Sequence, residues 1–544
     1  MDIRQINENS RWGWLAITLA FLFAAISKFG GQPTVDDPFH TGEFVASATN
    51  LYFGGANAYR AVLIHGLSDI LPALFSQQFW GLDQHFIPTF TIYRVIDLVS
   101  LLLLIIAAAQ IGQSNNARQY ILILAIALIG PVLVGYRDLT LLVALNLFLF
   151  LQRQSGNLYQ SILIQIAFGL STAFGVFWSY DRGLIGTISL GLALLLCIRK
   201  NKLFLIALVS YCVSIVSFQA ISPLFSLDRY VSNILFLMAS SAEWSYGFKP
   251  EPVILICFTV FVNTAAIVLA IGAFISDRSK PYALPNLILL CLLSVLMMKI
   301  AGINRADLMH IYQSYWVPML ILLGVSQKNY VVVALKNYNS AIIFILVFTF
   351  FFALLTPWFG NTRYVSAAVI AALLLVVLAA SRPELVSATV FSMLILLSFP
   401  FLYSIATASY RLYAGDYAWL TSLKSPALNT SLATPGVRWT AERVKDTSTS
   451  CIFDMSNNGI INALAKLPTC TEFIYPVYAS PKHESIMLDQ LRVASPPIVV
   501  YTSTYWSYSI DGRPMAQRFP NLDQYLRAHY PFEECMHGYC VRSQ

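Results

Sequence analysis

"WLAITLAFLFAAIS", residues Trp14 to Ser27, decides how the whole chain is read. A run this apolar near an N-terminus is either the core of a cleaved secretory leader or a first membrane-spanning helix. No A-x-A-like cleavage site follows it, and apolar spans continue for about 400 residues. It is therefore expected to be the first of many transmembrane helices. The 544-residue chain is 57% hydrophobic and only 11% charged, and roughly 17 to 25 apolar residues suffice to cross a bilayer as a helix. That balance describes a polytopic membrane protein. A net charge of +7 would suggest nucleic acid in a soluble protein. Here most basic residues lie in short connections, where they set orientation, and no nucleic-acid partner is implied.

Outward from Trp14, spans fall near 12–30, 89–112, 119–135, 139–152, 158–178, 184–198, 203–224, 252–276, 284–302, 308–325, 339–356, 364–380 and 386–408, about thirteen helices. With the N-terminus cytoplasmic, alternate connections carry mostly unpaired cations, such as "RKNK" (Arg199 to Lys202) and "DRSK" (Asp277 to Lys280), as the positive-inside rule requires. The other connections differ. They comprise the long loop 31–88 and then "YRD" (Tyr136 to Asp138), "YDRG" (Tyr180 to Gly183), "LDRY" (Leu227 to Tyr230), "NRAD" (Asn304 to Asp307) and "NTRY" (Asn361 to Tyr364). Nearly all of these couple an arginine to an aspartate, and they gather on the outer face.

An odd number of spans also places the C-terminal segment outside. Four of the eight cysteines lie within apparent helices, and the other four, Cys451, Cys470, Cys535 and Cys540, fall in that segment. An even number suits an oxidising compartment. Proximity favours Cys451 with Cys470 and Cys535 with Cys540, although three connectivities are open. "CIFDM" and "PPIVVYTS" read as strands, "ESIMLDQLRVA" and "NLDQYLRAHY" as amphipathic helices. The expected organisation is a transmembrane module over 1–409, whose outer loop 31–88 contains interfacial helices, and an extracytoplasmic α/β domain over 410–544.

The densest chemistry lies in "VDDPFHTGEF", Val35 to Phe44. Asp36 and Asp37 have a plain reading as solvated caps at a helix end. Together with His40 and Glu43 they also suit activation of a hydroxyl or coordination of a hard divalent cation, Mg or Mn, by Asp36, His40 and Glu43. In the arginine loops, Arg182 and Arg229 either snorkel toward headgroups or offer a donor fork to phosphate oxygens. "NRADLMHIYQSYW" adds Arg305, Asp307 and His310 at a helix start, with Asp307 and His310 three apart and able to share a face. His65, Asp83 and His85 in the first loop are assigned to packing. No P-loop, dinucleotide glycine fingerprint or G-x-S-x-G elbow is present.

A first helix followed by an outer loop opening on paired acids, then interfacial helices, about a dozen spans and an outer C-terminal domain, resembles the GT-C superfamily of polyprenyl-phosphate-sugar-dependent glycosyltransferases. "YDRG" and "NRADLMH" are similar to outer-loop motifs of bacterial members. The resemblance implies a lipid-phosphate-linked sugar donor, transfer with inversion to a hydroxyl of a glycan, lipid or protein, and a first-loop acid as base. By position that base is Asp37, with Asp36 its rival. Arg305 and His310 are the implied phosphate contacts, with Arg182 and Arg229 behind them and His40 and Glu43 positioning acceptor or metal. A bacterial inner membrane with a periplasmic active site fits this pattern. Two other readings compete: an O-antigen ligase or polymerase using a lipid-pyrophosphate glycan, and a flippase for a lipid-linked glycan. A flippase should carry charge at mid-membrane depth, whereas these spans have apolar centres.

Overall fold

The computed structural model describes residues 8–29, 38–54, 61–81, 86–112, 117–153, 158–244, 250–276, 283–303, 308–325, 410, 433–447, 449–502 and 515–544. The spans expected near 339–356, 364–380 and 386–408 lie outside them. The helices are α1 (Glu8–Phe29), α2 (Pro38–Phe53), α3 (Leu71–Trp80), α4 (Phe86–Ile111), α5 (Ala117–Leu133), α6 (Leu139–Leu151) and α7 (Leu158–Trp178). They continue with α8 (Tyr180–Lys200), α9 (Leu205–Ile221), α10 (Leu227–Trp244), α11 (Pro250–Ser276), α12 (Ala283–Leu296), α13 (Leu308–Tyr312) and α14 (Trp316–Val325). Contacts divide the chain into two units: the first takes 1–31, 94–217 and 248–416, the second 32–93, 218–247 and 417–544.

The first unit is a helical membrane bundle. Among the described residues five helices are long and apolar enough to cross a bilayer, or six if the bent pair Leu122–Leu133 and Tyr136–Leu151 is one span. In hydrocarbon every backbone polar group must pair within its own segment, so uninterrupted apolar runs become helices. Their inner faces bury residues such as Leu104, Ile126, Leu145, Phe148, Ile185 and Leu293 in one core. Val209, Val213 and Val216 on α9 stay exposed, as lipid-facing side chains do. The two spans expected at 119–135 and 139–152 form the pair bent by 110°. Pro131 lies inside α5, and the chain leaves it through Gly135 into a 3-10 turn over Tyr136–Asp138. A proline lacks the amide hydrogen that would continue the ladder. The span expected at 308–325 is likewise divided, into α13 and α14 with a turn over 313–315 between them.

The second unit carries a four-stranded sheet in the order β1 (Phe453–Asp454), β2 (Ile498–Thr502), β4 (Tyr539–Ser543), β3 (Phe532–Met536). β1 runs parallel to β2, and the other pairings are antiparallel. Helices α15 (Pro435–Lys445), α16 (Gly459–Ala465), α17 (Glu484–Ala494), α18 (Met515–Arg518) and α19 (Pro520–His529) accompany it. The two strands and two helices expected from the sequence are β1, β2, α17 and α19. The β3–β4 hairpin was not among them, because its turn dipeptide, "HG", is not one of the common hairpin signals such as Asn-Gly or Asp-Gly. His537 and Gly538 both have positive φ, 52° and 81°, as the two-residue hairpin turn demands. Disulfides join Cys451 to Cys470 and Cys535 to Cys540. The core gathers Phe453, Met487, Leu491, Val499, Leu522 and Leu526 from the C-terminal segment together with Val62 from the first loop. Val62 extends the fold directly: it bridges to Phe473 in parallel, and its amide donates to the Glu472 carbonyl at 2.9 Å.

Candidate functional site

In the second unit the sequence-predicted residues centre on α2. This helix begins at Pro38, immediately after Asp36 and Asp37 in the sequence, and proline suits a first helical turn because its missing donor is not needed there. Asp36 and Asp37 themselves lie outside the described residues. His40 is exposed and Glu43 half-buried, one turn apart and so on the same face.

Both ends of α2 are fastened. Phe39 is buried against the rings of Tyr475 and Tyr478, with centroids 5.0 and 5.9 Å away. The Tyr475 hydroxyl donates to the Phe39 carbonyl at 3.0 Å and accepts the Gly459 amide at 3.1 Å. Gly42 meets the start of α16 so closely that a Cβ there would lie 2.5 Å from Tyr475 Oη and 2.6 Å from Gly459 N. At the far end, Asn50 Oδ1 accepts from the Thr469 amide at 2.9 Å and its hydroxyl at 3.1 Å. Phe44 stacks on Tyr93 at 4.1 Å, and Tyr93 donates to the Ser68 carbonyl at 2.7 Å.

Other groups of this unit are accounted for similarly. His65 Nδ1 lies 3.0 Å from the buried Asp69 carboxylate. Arg229 Nη2 donates to the Ala61 carbonyl at 3.0 Å, which ties α10 to the first loop. Asp454 is buried at the end of β1, where its Oδ1 accepts from the Ser456 amide and hydroxyl and its Oδ2 from the Asn458 amide. Burial pushes its pKa up to about 6 despite these donors. Asp83 and His85 lie outside the described residues. Glu533, Cys535 and Cys540 cluster as ligand atoms would, but the disulfide between the two cysteines occupies both sulfurs, so this group is not a cation site.

In the first unit two of the arginine loops are joined into one network. Arg182 is sealed from solvent and each of its three nitrogens donates to protein: Nε to Asp138 Oδ1, Nη1 to Asp181 Oδ2 and Nη2 to Gln313 Oε1, all at 2.7 Å. Arg137 pairs with Asp181, which also accepts from the Ser179 hydroxyl at 2.8 Å. "YRD" and "YDRG" thus exchange partners: the arginine of each loop binds the aspartate of the other. With its nitrogens engaged and its side chain 0% exposed, Arg182 is a tie between loops rather than the open phosphate contact expected of it. Gln313, which sequence reading passed over as an uncharged helix residue, carries the tie to the helix of His310. His310 is half-buried on α13, while Arg305 and Asp307 lie outside the described residues. The structure therefore brings "YDRG" and the "LMHIYQ" stretch (Leu308 to Gln313) together within this unit through Arg182 and Gln313.

No protein-family model matches the chain, and no curated protein matches it. Solved structures do. The apo crystal structure of ArnT from Cupriavidus metallidurans superposes with a TM-score of 0.50 at 12% identity, covering 99% of this chain and 98% of ArnT. ArnT bound to undecaprenyl phosphate gives 0.48 at 13% identity over 98% of both chains. The archaeal oligosaccharyltransferase AglB from Archaeoglobus fulgidus, in complex with an inhibitory peptide and a dolichol-phosphate, gives 0.49 at 11% identity over 90% of this chain and 69% of AglB. The likeness to apo ArnT runs through essentially the whole of both chains, and this multi-pass membrane protein accordingly has the GT-C fold that its sequence resembles.

Proposed function

We propose that the protein is a membrane glycosyltransferase that moves a sugar from a polyprenyl-phosphate donor to an acceptor hydroxyl on a glycan, lipid or protein, at the periplasmic face of a bacterial inner membrane. The observation that carries this reading is the double anchoring of α2, the helix that the acidic stretch opens, on Tyr475, Gly459 and Thr469. A base must be held to within a fraction of an ångström of its proton, and a site built on a rigid element achieves that.

In the proposed reaction the acceptor oxygen forms a bond to the anomeric carbon as the bond to the donor phosphate breaks. The acceptor proton passes to Asp37, with Asp36 the alternative base, and polyprenyl phosphate leaves with the bonding electrons. A single displacement inverts the anomeric centre. Arg305 and His310 stabilise the phosphate charge, Asp307 orients them, and Arg229 stands behind. Arg182 acts at one remove, by holding the loop of Asp138 to that of Asp181. His40 and Glu43, one turn apart on α2, fit two positions of a divalent site completed by Asp36. A bound Mg or Mn would supply Lewis acidity toward phosphate oxygens.

Asp37→Asn tests the proposal. In membranes supplied with a polyprenyl-phosphate sugar, transfer should fall about 10²- to 10⁴-fold, the usual contribution of a general base, with expression unchanged. Wild-type turnover in that variant, and also in Asp36→Asn, removes the acidic pair from the chemistry. A larger loss in Arg305→Ala than in Asp37→Asn would instead favour the pyrophosphate-glycan ligase.

A further inference from the structure

The second unit contains a cleft of about 730 Å³ between the end of α2, the loops joined by the Cys451–Cys470 disulfide and the second half of α17, a volume typical of small-ligand sites. Asn50 lines it and is only 5% exposed. Its Oδ1 is committed to Thr469, and its Nδ2 makes no hydrogen bond among the described residues. That amide group faces the open cleft and is available to a hydrogen-bond acceptor bound there. Beside it stands Glu472, whose backbone amide is pinned by the Gln490 side chain at 2.9 Å and whose carboxyl is raised in pKa by burial. Phe53 and Val493 supply apolar surface. Among the described residues, the charged ones on the wall are both acids, Glu472 and Asp489. Asp489 turns partly outward to Arg492 at 3.3 Å.

We infer that this cleft binds a hydroxyl-rich glycan, uncharged or amino-bearing, through Asn50, Glu472 and the Phe53 surface. Hydroxyl groups both donate and accept, so one sugar ring satisfies the Asn50 donor and the Glu472 acceptor together. An anionic headgroup is repelled by the same acids, which separates this site from the donor phosphate. The assignment rests on the proposed transferase reading and narrows it, because the ligand is then the acceptor and the acceptor is a glycan. The disulfide shapes the wall by holding Ser450–Cys451 against Pro468–Cys470.

Binding is measured by saturation-transfer NMR on the full chain in detergent, with cellotetraose as neutral probe, the tetramer of glucosamine as amino-bearing probe and tetragalacturonate as anionic probe. The neutral and amino-bearing probes should bind, and the uronate at least about tenfold more weakly. Glu472→Gln should weaken the neutral probe about tenfold, the loss of a hydrogen bond to a charged group. Val493→Arg, at a position 88% exposed, should strengthen the uronate relative to the others. Equal binding of all three probes, no binding of any, or indifference to both substitutions overturns the assignment. Hydrolysis of the donor without acceptor reads the transferase proposal separately: turnover of donor without glycan binding sinks the cleft alone, and glycan binding without donor turnover sinks the transferase alone.

Discussion

Gly42→Ala sets two local effects of opposite sign against each other. Alanine is the better helix former, and by propensity alone the change stabilises α2 by about 1 kcal/mol. The packing says otherwise. The new Cβ would stand 2.5 Å from Tyr475 Oη, 2.6 Å from Gly459 N and 3.2 Å from Gly459 Cα, where carbon contacts settle near 3.5 Å. Relief requires α2 and α16 to part by roughly 1 Å. That parting stretches both hydrogen bonds of the Tyr475 hydroxyl, to the Phe39 carbonyl and from the Gly459 amide, now 3.0 and 3.1 Å. Overpacking of this kind costs about 1–3 kcal/mol, and each weakened hydrogen bond about 1 more. After the propensity gain is deducted, a net loss of about 2–4 kcal/mol is expected. The assay is thermal unfolding of the full chain in detergent, with Thr41→Ala as the neighbouring control and sugar transfer as a second readout, since α2 follows Asp36 and Asp37 directly. A melting temperature equal to or above the wild type would refute the close packing of α2 on α16.

Further outcomes follow from the same contacts. Arg182→Met should destabilise by about 3–5 kcal/mol, because it strands Asp138 in a buried site. Combining it with Asp138→Asn should recover part of that loss, and a double variant no better than the single one would mean the pair is not coupled. Asp454 titrates in the folded protein at about 6 against a reference of 3.8. The folded state therefore holds the proton over that interval while the unfolded chain has lost it. Stability of the second unit should fall as pH rises through the interval, by up to about 3 kcal/mol in total, and level off above it. Denaturant titrations at successive pH values should show that slope in the wild type and its removal in Asp454→Asn; a slope that survives the substitution assigns it to another group.

The candidate site was partly legible for an identifiable reason. The outer loops announce arginine and aspartate by type, since charged residues between apolar spans are few and conspicuous. Which arginine meets which aspartate was not legible: Arg137 binds Asp181 and Arg182 binds Asp138, a crossing set by how α6 and α8 pack. Gln313, Tyr475 and Asn50 were missed because an uncharged polar residue in an ordinary helix or loop has no sequence signature until a partner far along the chain is placed beside it, 131 residues away for Gln313 and more than 400 for the other two.

By itself the sequence determined that this chain is a polytopic helical membrane protein with an α/β appendage, because a bilayer forces each apolar span to satisfy its own backbone and so makes the rule local. It also determined the strands β1 and β2 and the helices α17 and α19, whose apolar spacing is read within about ten residues. Only the tertiary structure decided that residues 32–93 fold with 417–544 in one unit, that Gly42 is a point of contact with Gly459, and that Arg182 is enclosed. Each of these depends on contacts between residues far apart in sequence, which the local pattern around any one of them does not encode.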